Sequence, residues 1–237
     1  MIVGAMAPDF LYFILLSHTS HYGHTLRGVF LFSLPAGLIV LWLFHRLFKL
    51  PLLSLAPDHL ARRISPDDLR YSFGPASRFA WVTASILAGI FTHILWDDFT
   101  HEKGLFVTMA PELRLYFGLH MPLYSFLQLG STVVGATLLA WGYRRWLHRT
   151  PERHETVVPQ LSIGIRILVI VVCLAAILAF ALPYGLHFAN RTRENWWSEF
   201  IVKSVIASIT AGSIEVFVFS LNWHLRKEKA PEFEVEG

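Results

Sequence analysis

Apolar runs of roughly 20 residues, set apart by short blocks of charge, decide what this chain can fold into, because such a run crosses a bilayer as a helix. Val29 to Phe48, Phe79 to Trp96, Pro122 to Trp146, Leu161 to Leu182 and Phe200 to Trp223 all qualify. Loops in water would carry the charge between them. With 54% hydrophobic and 16% charged residues and a mean hydropathy of +0.48, the 237 residues hold more apolar side chain than one water-facing core of that size buries. The fold class expected is all-α: a polytopic membrane helix bundle of five full spans. A shorter apolar segment opens the chain, interrupted by Pro8-Asp9, and reads as a partial or re-entrant N-terminal helix. It lacks the basic n-region of a signal peptide and reads as part of the mature protein. Residues 1–225 form a single transmembrane domain on this reading, and 226–237 a disordered tail.

Lysine and arginine give the direction. Arg46, Lys49, Arg62, Arg63, Arg70 and Arg78 follow the first span, Arg144, Arg145, Arg149 and Arg153 the third, and Arg226, Lys227 and Lys229 the fifth. The alternate loops hold only Arg27, then Lys103 and Arg114, then Arg191 and Arg193. By the positive-inside rule the richer loops and the C-terminus are cytoplasmic, in the inner (plasma) membrane. That topology also accounts for the pI of about 9.1 without nucleic acid, for which no basic helix face is visible. Tryptophans at segment ends, Trp96, Trp146 and Trp223 among them, fit interfacial anchoring. Small residues from Gly130 to Thr137 and from Ala207 to Ser213 would let helices approach closely. Cys173 lies inside an apolar run, as buried packing does.

The twelve histidines sort unequally across this topology. His18, His21, His24, His93, His101, His120 and His187 fall on the non-cytoplasmic side; His45, His59, His148, His154 and His224 fall on the basic side. The sharpest local pattern is Thr92 to His101, in which His93, Asp97 and His101 recur every fourth residue and share one helix face. Imidazole and carboxylate at that spacing can close on one divalent cation, and zinc accepts nitrogen and oxygen ligands. They can equally hydrogen-bond each other at a helix end. Asp98 projects elsewhere, to orient a ligand or to cap the following loop. Asp9 and the His18, His21 and His24 cluster fall on the same side, so a shared pocket is expected.

These residues carry a resemblance. Gly4 to Phe13 with its Ala7-Pro8-Asp9, His24 to Phe30 running into Leu34-Pro35-Ala36-Gly37, and Thr92 to His101 resemble an uncharacterised bacterial multi-pass membrane family, domain of unknown function 4184, over nearly the whole chain. More distantly, the Pro-Asp, His-Thr and His-x3-Asp pieces are similar to the membrane-bound metal-dependent hydrolases and, through them, to the zinc-dependent phospholipase C and single-strand nuclease group. The resemblance implies a metal site of Asp9, His24, His93 and Asp97, with His101 a further ligand candidate. It also implies hydrolysis of a phosphoester or lipid-linked substrate; on that hydrolase reading Zn²⁺ is the cofactor, and the catalytic candidates His101 or Asp98 handle protons. The family pattern has an apolar stretch with an early Ser-His or Thr-His ahead of the Pro-Asp motif, which this sequence does not show. Two other readings stand beside hydrolysis. One is a transporter using Arg166, Lys203 and Glu215 as intramembrane charges; the other is a structural or scaffolding membrane protein whose polar clusters satisfy helix ends.

Overall fold

The computed structural model describes residues 1–19, 21–117, 121–192 and 195–228. His120, Arg193 and the tail from residue 229 lie outside them. Among the described residues, five helices are long and apolar enough to cross a membrane: Leu26–Ser54, Ala76–Met109, Leu123–Arg149, Ile163–Ala189 and Trp196–Arg226. The shorter apolar stretch Ile2–Leu15 precedes them. The expected all-α architecture, five spans and a partial N-terminal helix, is what the chain adopts. Each span runs past the C-terminal end of the apolar run that announces it. A helix of 27 residues, the shortest of the five, extends about 40 Å. That exceeds the roughly 30 Å of hydrocarbon, so helical backbone continues into the polar ends.

The first span is not uniform. π-turns at Val29–Ser33 and Phe44–Phe48 interrupt it, shortly before Pro35 and Pro51 respectively. Proline can neither donate to the carbonyl four residues back nor fit beside it, and a widened turn relieves both problems.

The chain divides into two compact units. The first comprises Met1–Pro8, His24–Gly37 and Phe73–Glu152. In it the helix Ile2–Met6 lies against Ala76–Thr100, backbone to backbone. A Cβ on Gly4 would stand 2.9 Å from the Cα of Ile86, and one on Gly89 would stand 2.8 Å from the nitrogen of Ala5. Backbone cannot swing aside as a side chain can. Gly89→Val should therefore cost at least about 3 kcal/mol, read as a lower unfolding midpoint in detergent. A Cβ on Gly130 or Gly135, by contrast, would have nothing within 4 Å, and that small-residue stretch meets the Ala76–Thr100 helix through Ser131, whose Oγ accepts from Trp96 Nε1 at 3.2 Å. The backbone-to-backbone approach in this unit is made at Gly4 and Gly89.

The second unit comprises Asp9–Gly23, Leu38–Ser72 and Arg153–Gly237, and the fourth and fifth spans form its main helix pair. The short helix Phe10–Leu15 ends on Leu16 in the left-handed region, with φ of 51°. Side-chain hydroxyls satisfy carbonyls at that end: Thr210 donates to Phe13 O and Tyr184 to Leu16 O, each at 2.7 Å. In the first interhelical loop, Ser65 and Asp68 form a reciprocal capping box. The backbone and side-chain hydrogen bonds from Ser65 hold the Asp68 carboxyl below the usual carboxylate value.

Arg166 is buried and each nitrogen of its guanidinium donates a hydrogen bond. Nε donates to Leu161 O at 2.6 Å, Nη1 to Ala56 O at 2.9 Å and Nη2 to Asp58 Oδ1 at 2.7 Å. It staples the start of the fourth span to the loop after the first. Asp58 is largely exposed, so most of the stabilisation comes from the two carbonyl contacts rather than the ion pair. Arg166→Ala should lower stability by on the order of 3 kcal/mol, since charged donors are withdrawn from two carbonyls. Thermal unfolding in detergent measures this. Lys203 is also buried, with its ammonium 4.8 Å from the centre of the Phe188 ring.

Candidate metal centre

His24 closes the 3-10 turn Tyr22–His24 and enters the first span through Thr25. Thr25 has extended backbone, and its Oγ1 accepts the N–H of Gly28 at 3.0 Å, an N-cap that fixes where the chain turns. Its signal in the sequence is a threonine just ahead of an apolar run, which the metal-ligand pattern alone does not pick out. His93, Asp97 and Asp98 ride on the Ala76–Thr100 helix. His93 follows one turn after Gly89, so the glycine contact that seats this helix also sets the height of the imidazole. His101 is the residue that leaves the helix, with extended backbone and its N–H bonded to Asp97 O at 2.9 Å.

Three of these side chains meet in a closed triangle within the first unit. His93 Nε2 lies 3.1 Å from Asp97 Oδ2, His24 Nε2 lies 3.3 Å from the same oxygen, and the two Nε2 atoms are 3.4 Å apart. All three residues are half-buried. The other carboxylate oxygen, Oδ1, stands 3.5 Å from Nδ1 of the exposed His101. One carboxylate is thus approached by three imidazoles, two on one oxygen and one on the other.

Hydrogen bonds can serve the two edges of that triangle that meet at Oδ2. Each Nε2 carries at most one proton, and both protons are needed to serve Oδ2. The Nε2-to-Nε2 edge is then left as a contact of like dipoles. A shared cation serves all three edges at once. Metal–ligand bonds of about 2.0 to 2.2 Å place tetrahedral ligand atoms about 3.3 to 3.6 Å from one another, close to the edges observed. The donor set of two imidazoles and a carboxylate fits zinc.

Asp98 turns away from the triangle, and its Oδ1 accepts the N–H of Leu105 at 3.0 Å. That contact caps the following loop, one of the roles expected for it. Asp9 is half-buried at the end of the turn Ala7–Asp9 and belongs to the second unit, joined to Pro8 of the first by a peptide bond. His18, His21 and His187 also belong to the second unit.

A family profile described as Domain of unknown function (DUF4184) matches residues 1–221. No curated protein and no solved structure matches the chain.

Proposed function

We propose a metal-dependent hydrolase for this chain, which belongs to the DUF4184 family, acting on a phosphoester or lipid-linked substrate at the non-cytoplasmic face of the membrane. The observation that carries the reading is the triangle of His24 Nε2, His93 Nε2 and Asp97 Oδ2, with edges of 3.1 to 3.4 Å. The face follows from the distribution of lysine and arginine among the loops.

Bound there, a zinc ion would supply Lewis acidity and a water acidified towards neutrality. The chain's own groups divide the rest of the work. His24 and His93 present neutral nitrogens, and Asp97 adds the negative charge that makes the set selective for a cation. His101 contacts the free side of Asp97 and is exposed, so it can steady that carboxylate and carry a proton between the reacting groups and water. Asp98 supports the site through the loop it caps. Asp9 enters as a further ligand on the strength of the sequence and the resemblance, and an Asp9→Asn variant tests that addition separately.

The hydrogen-bonded alternative keeps one specific point in its favour: 3.1 and 3.3 Å are also imidazole-to-carboxylate hydrogen-bond lengths. The transporter reading loses support from Arg166, whose donors are occupied by loop acceptors rather than turned towards a pathway. Elemental analysis of the full-length protein purified in detergent, paired with a phosphodiester hydrolysis assay, decides between the readings. Stoichiometric metal and activity should both disappear in a His93→Ala, Asp97→Ala double variant; metal content unchanged by it would remove the proposal.

A further inference from the structure

Beyond His101 the chain builds a ledge whose inner side is pinned and whose outer side is apolar. Gly104 sits against the backbone of Asp98, with no room for a Cβ, and the Asp98 carboxylate caps Leu105. Phe106 stacks on Phe99 with ring centres 4.0 Å apart, and Val107 is fully buried. Arg114 closes the loop by donating to Val107 O at 3.3 Å and to Glu102 O at 3.2 Å. These contacts hold the short helix Leu105–Met109 and the residues after it in a defined orientation.

That orientation exposes large apolar side chains. Leu105 is 54% exposed and Met109 71%, one turn apart on the same face, and Leu115 and Tyr116 follow at 64% and 77%. Loop surface in water has no reason to fix four such side chains outward. Apolar surface also lies just ahead of the ledge, since Leu95 and Trp96 are exposed on the Ala76–Thr100 helix, which is separated from Leu105 by four residues. Exposed cations flank the metal residues in the same unit: Lys103 lies two residues after His101, and Arg27 three after His24. Apolar surface bordered by exposed charge of both signs, Lys103 and Arg27 with Glu102 and Glu112, matches the layer where acyl chains give way to polar headgroups.

We infer that the ledge of Leu105, Met109, Leu115 and Tyr116 is seated in the bilayer interface, and that the substrate is a phosphoester carried by an amphiphile of the same leaflet, a phospholipid-class molecule reaching the metal residues sideways from the membrane. The substrate half of this inference rests on the hydrolase reading; the seating of the ledge does not. The ester bond is cleaved by water: the water oxygen bonds to phosphorus, the P–O bond to the alcohol breaks, the departing alkoxide takes the proton that the water gives up, and no redox partner is needed.

Two measurements on the full-length protein in phosphatidylethanolamine/phosphatidylglycerol vesicles test it. In the first, Met109→Cys in a Cys173→Ala background carries an environment-sensitive fluorophore. Quenching by nitroxide-labelled lipid and protection from aqueous iodide are expected; the opposite pattern overturns the seating. In the second, a Met109→Glu, Tyr116→Glu variant of unchanged metal content is compared with wild type on vesicle phospholipid and on soluble bis(4-nitrophenyl) phosphate. The expected result is a loss of about tenfold or more in kcat/KM on the vesicle substrate, with the soluble ester changed by less than about twofold. Equal effects on both substrates, or a wild type active on the soluble ester alone, overturn the substrate inference and leave the hydrolase reading standing. A metal-loaded wild type active on neither overturns the hydrolase reading, and the substrate inference with it.

Discussion

Asp97→Asn should leave the protein folded and strip it of metal. Asparagine has the shape of aspartate, and its carboxamide oxygen can still accept hydrogen bonds from His24 and His93, so helix content and expression should match wild type. It lacks the charge. Loss of a group that merely orients a ligand costs about ten- to a hundredfold in metal affinity, and removing the anionic ligand itself should cost at least the upper end of that range. Competition against a chromophoric chelator measures the affinity, and hydrolysis should fall in parallel. A purely hydrogen-bonded cluster makes the opposite forecast: no metal in either protein, and little difference between them. An Asp97→Asn protein that binds zinc as tightly as wild type would sink the metal reading at its centre.

The part of this site that can be read from the sequence is the part governed by helical periodicity. Spacing places His93 and Asp97 on one face and Asp98 off it, from a helix geometry that does not depend on surroundings, whereas His101 reaches Asp97 from just past the helix end with extended backbone. His24 joins them only through the expected topology, because a separation of 69 residues leaves no local signal. The apolar runs likewise announce the spans, while the true ends lie in residues whose polarity is indifferent to helix or loop. Arg166 shows the limit most clearly. As a charge beside an apolar run it reads as part of a membrane pathway, yet its partners Ala56 and Asp58 lie 110 and 108 residues away. Of the small-residue stretches, Ala207 to Ser213 does pack against the fourth span, where a Cβ on Gly212 would stand 3.4 Å from Ile177, and Gly130 to Gly135 is less informative. Glycine permits close approach but does not say which helix approaches, and in the first unit it is Gly4 and Gly89 that meet backbone, while a Cβ on Gly130 or Gly135 would meet nothing. The ledge after His101 has no periodic signature at all, since it is held by a capping carboxylate and a ring stack.

Removing the metal should destabilise the protein as a whole, and only if the triangle is intact. A ligand bound to the folded state alone adds RT ln(1 + [L]/Kd), about 4 kcal/mol at a thousandfold excess over Kd. For a chain of 150 to 250 residues each kcal/mol moves the unfolding midpoint by about 2 to 4 °C on soluble-protein averages, so a strong chelator should lower it by roughly 10 °C. The triangle supplies a physical reason beyond mass action. Without a cation, the two Nε2 atoms 3.4 Å apart compete for one oxygen, and the helix turn bearing His93 and the turn bearing His24 lose their common tie. Readdition of zinc should restore the midpoint, and the Asp97→Asn protein should melt near the chelated wild-type temperature whether or not chelator is present. A midpoint indifferent to chelator in a wild type shown to carry metal would mean that the ion sits elsewhere in the chain, and that these imidazoles and this carboxylate meet only as hydrogen-bonding neighbours.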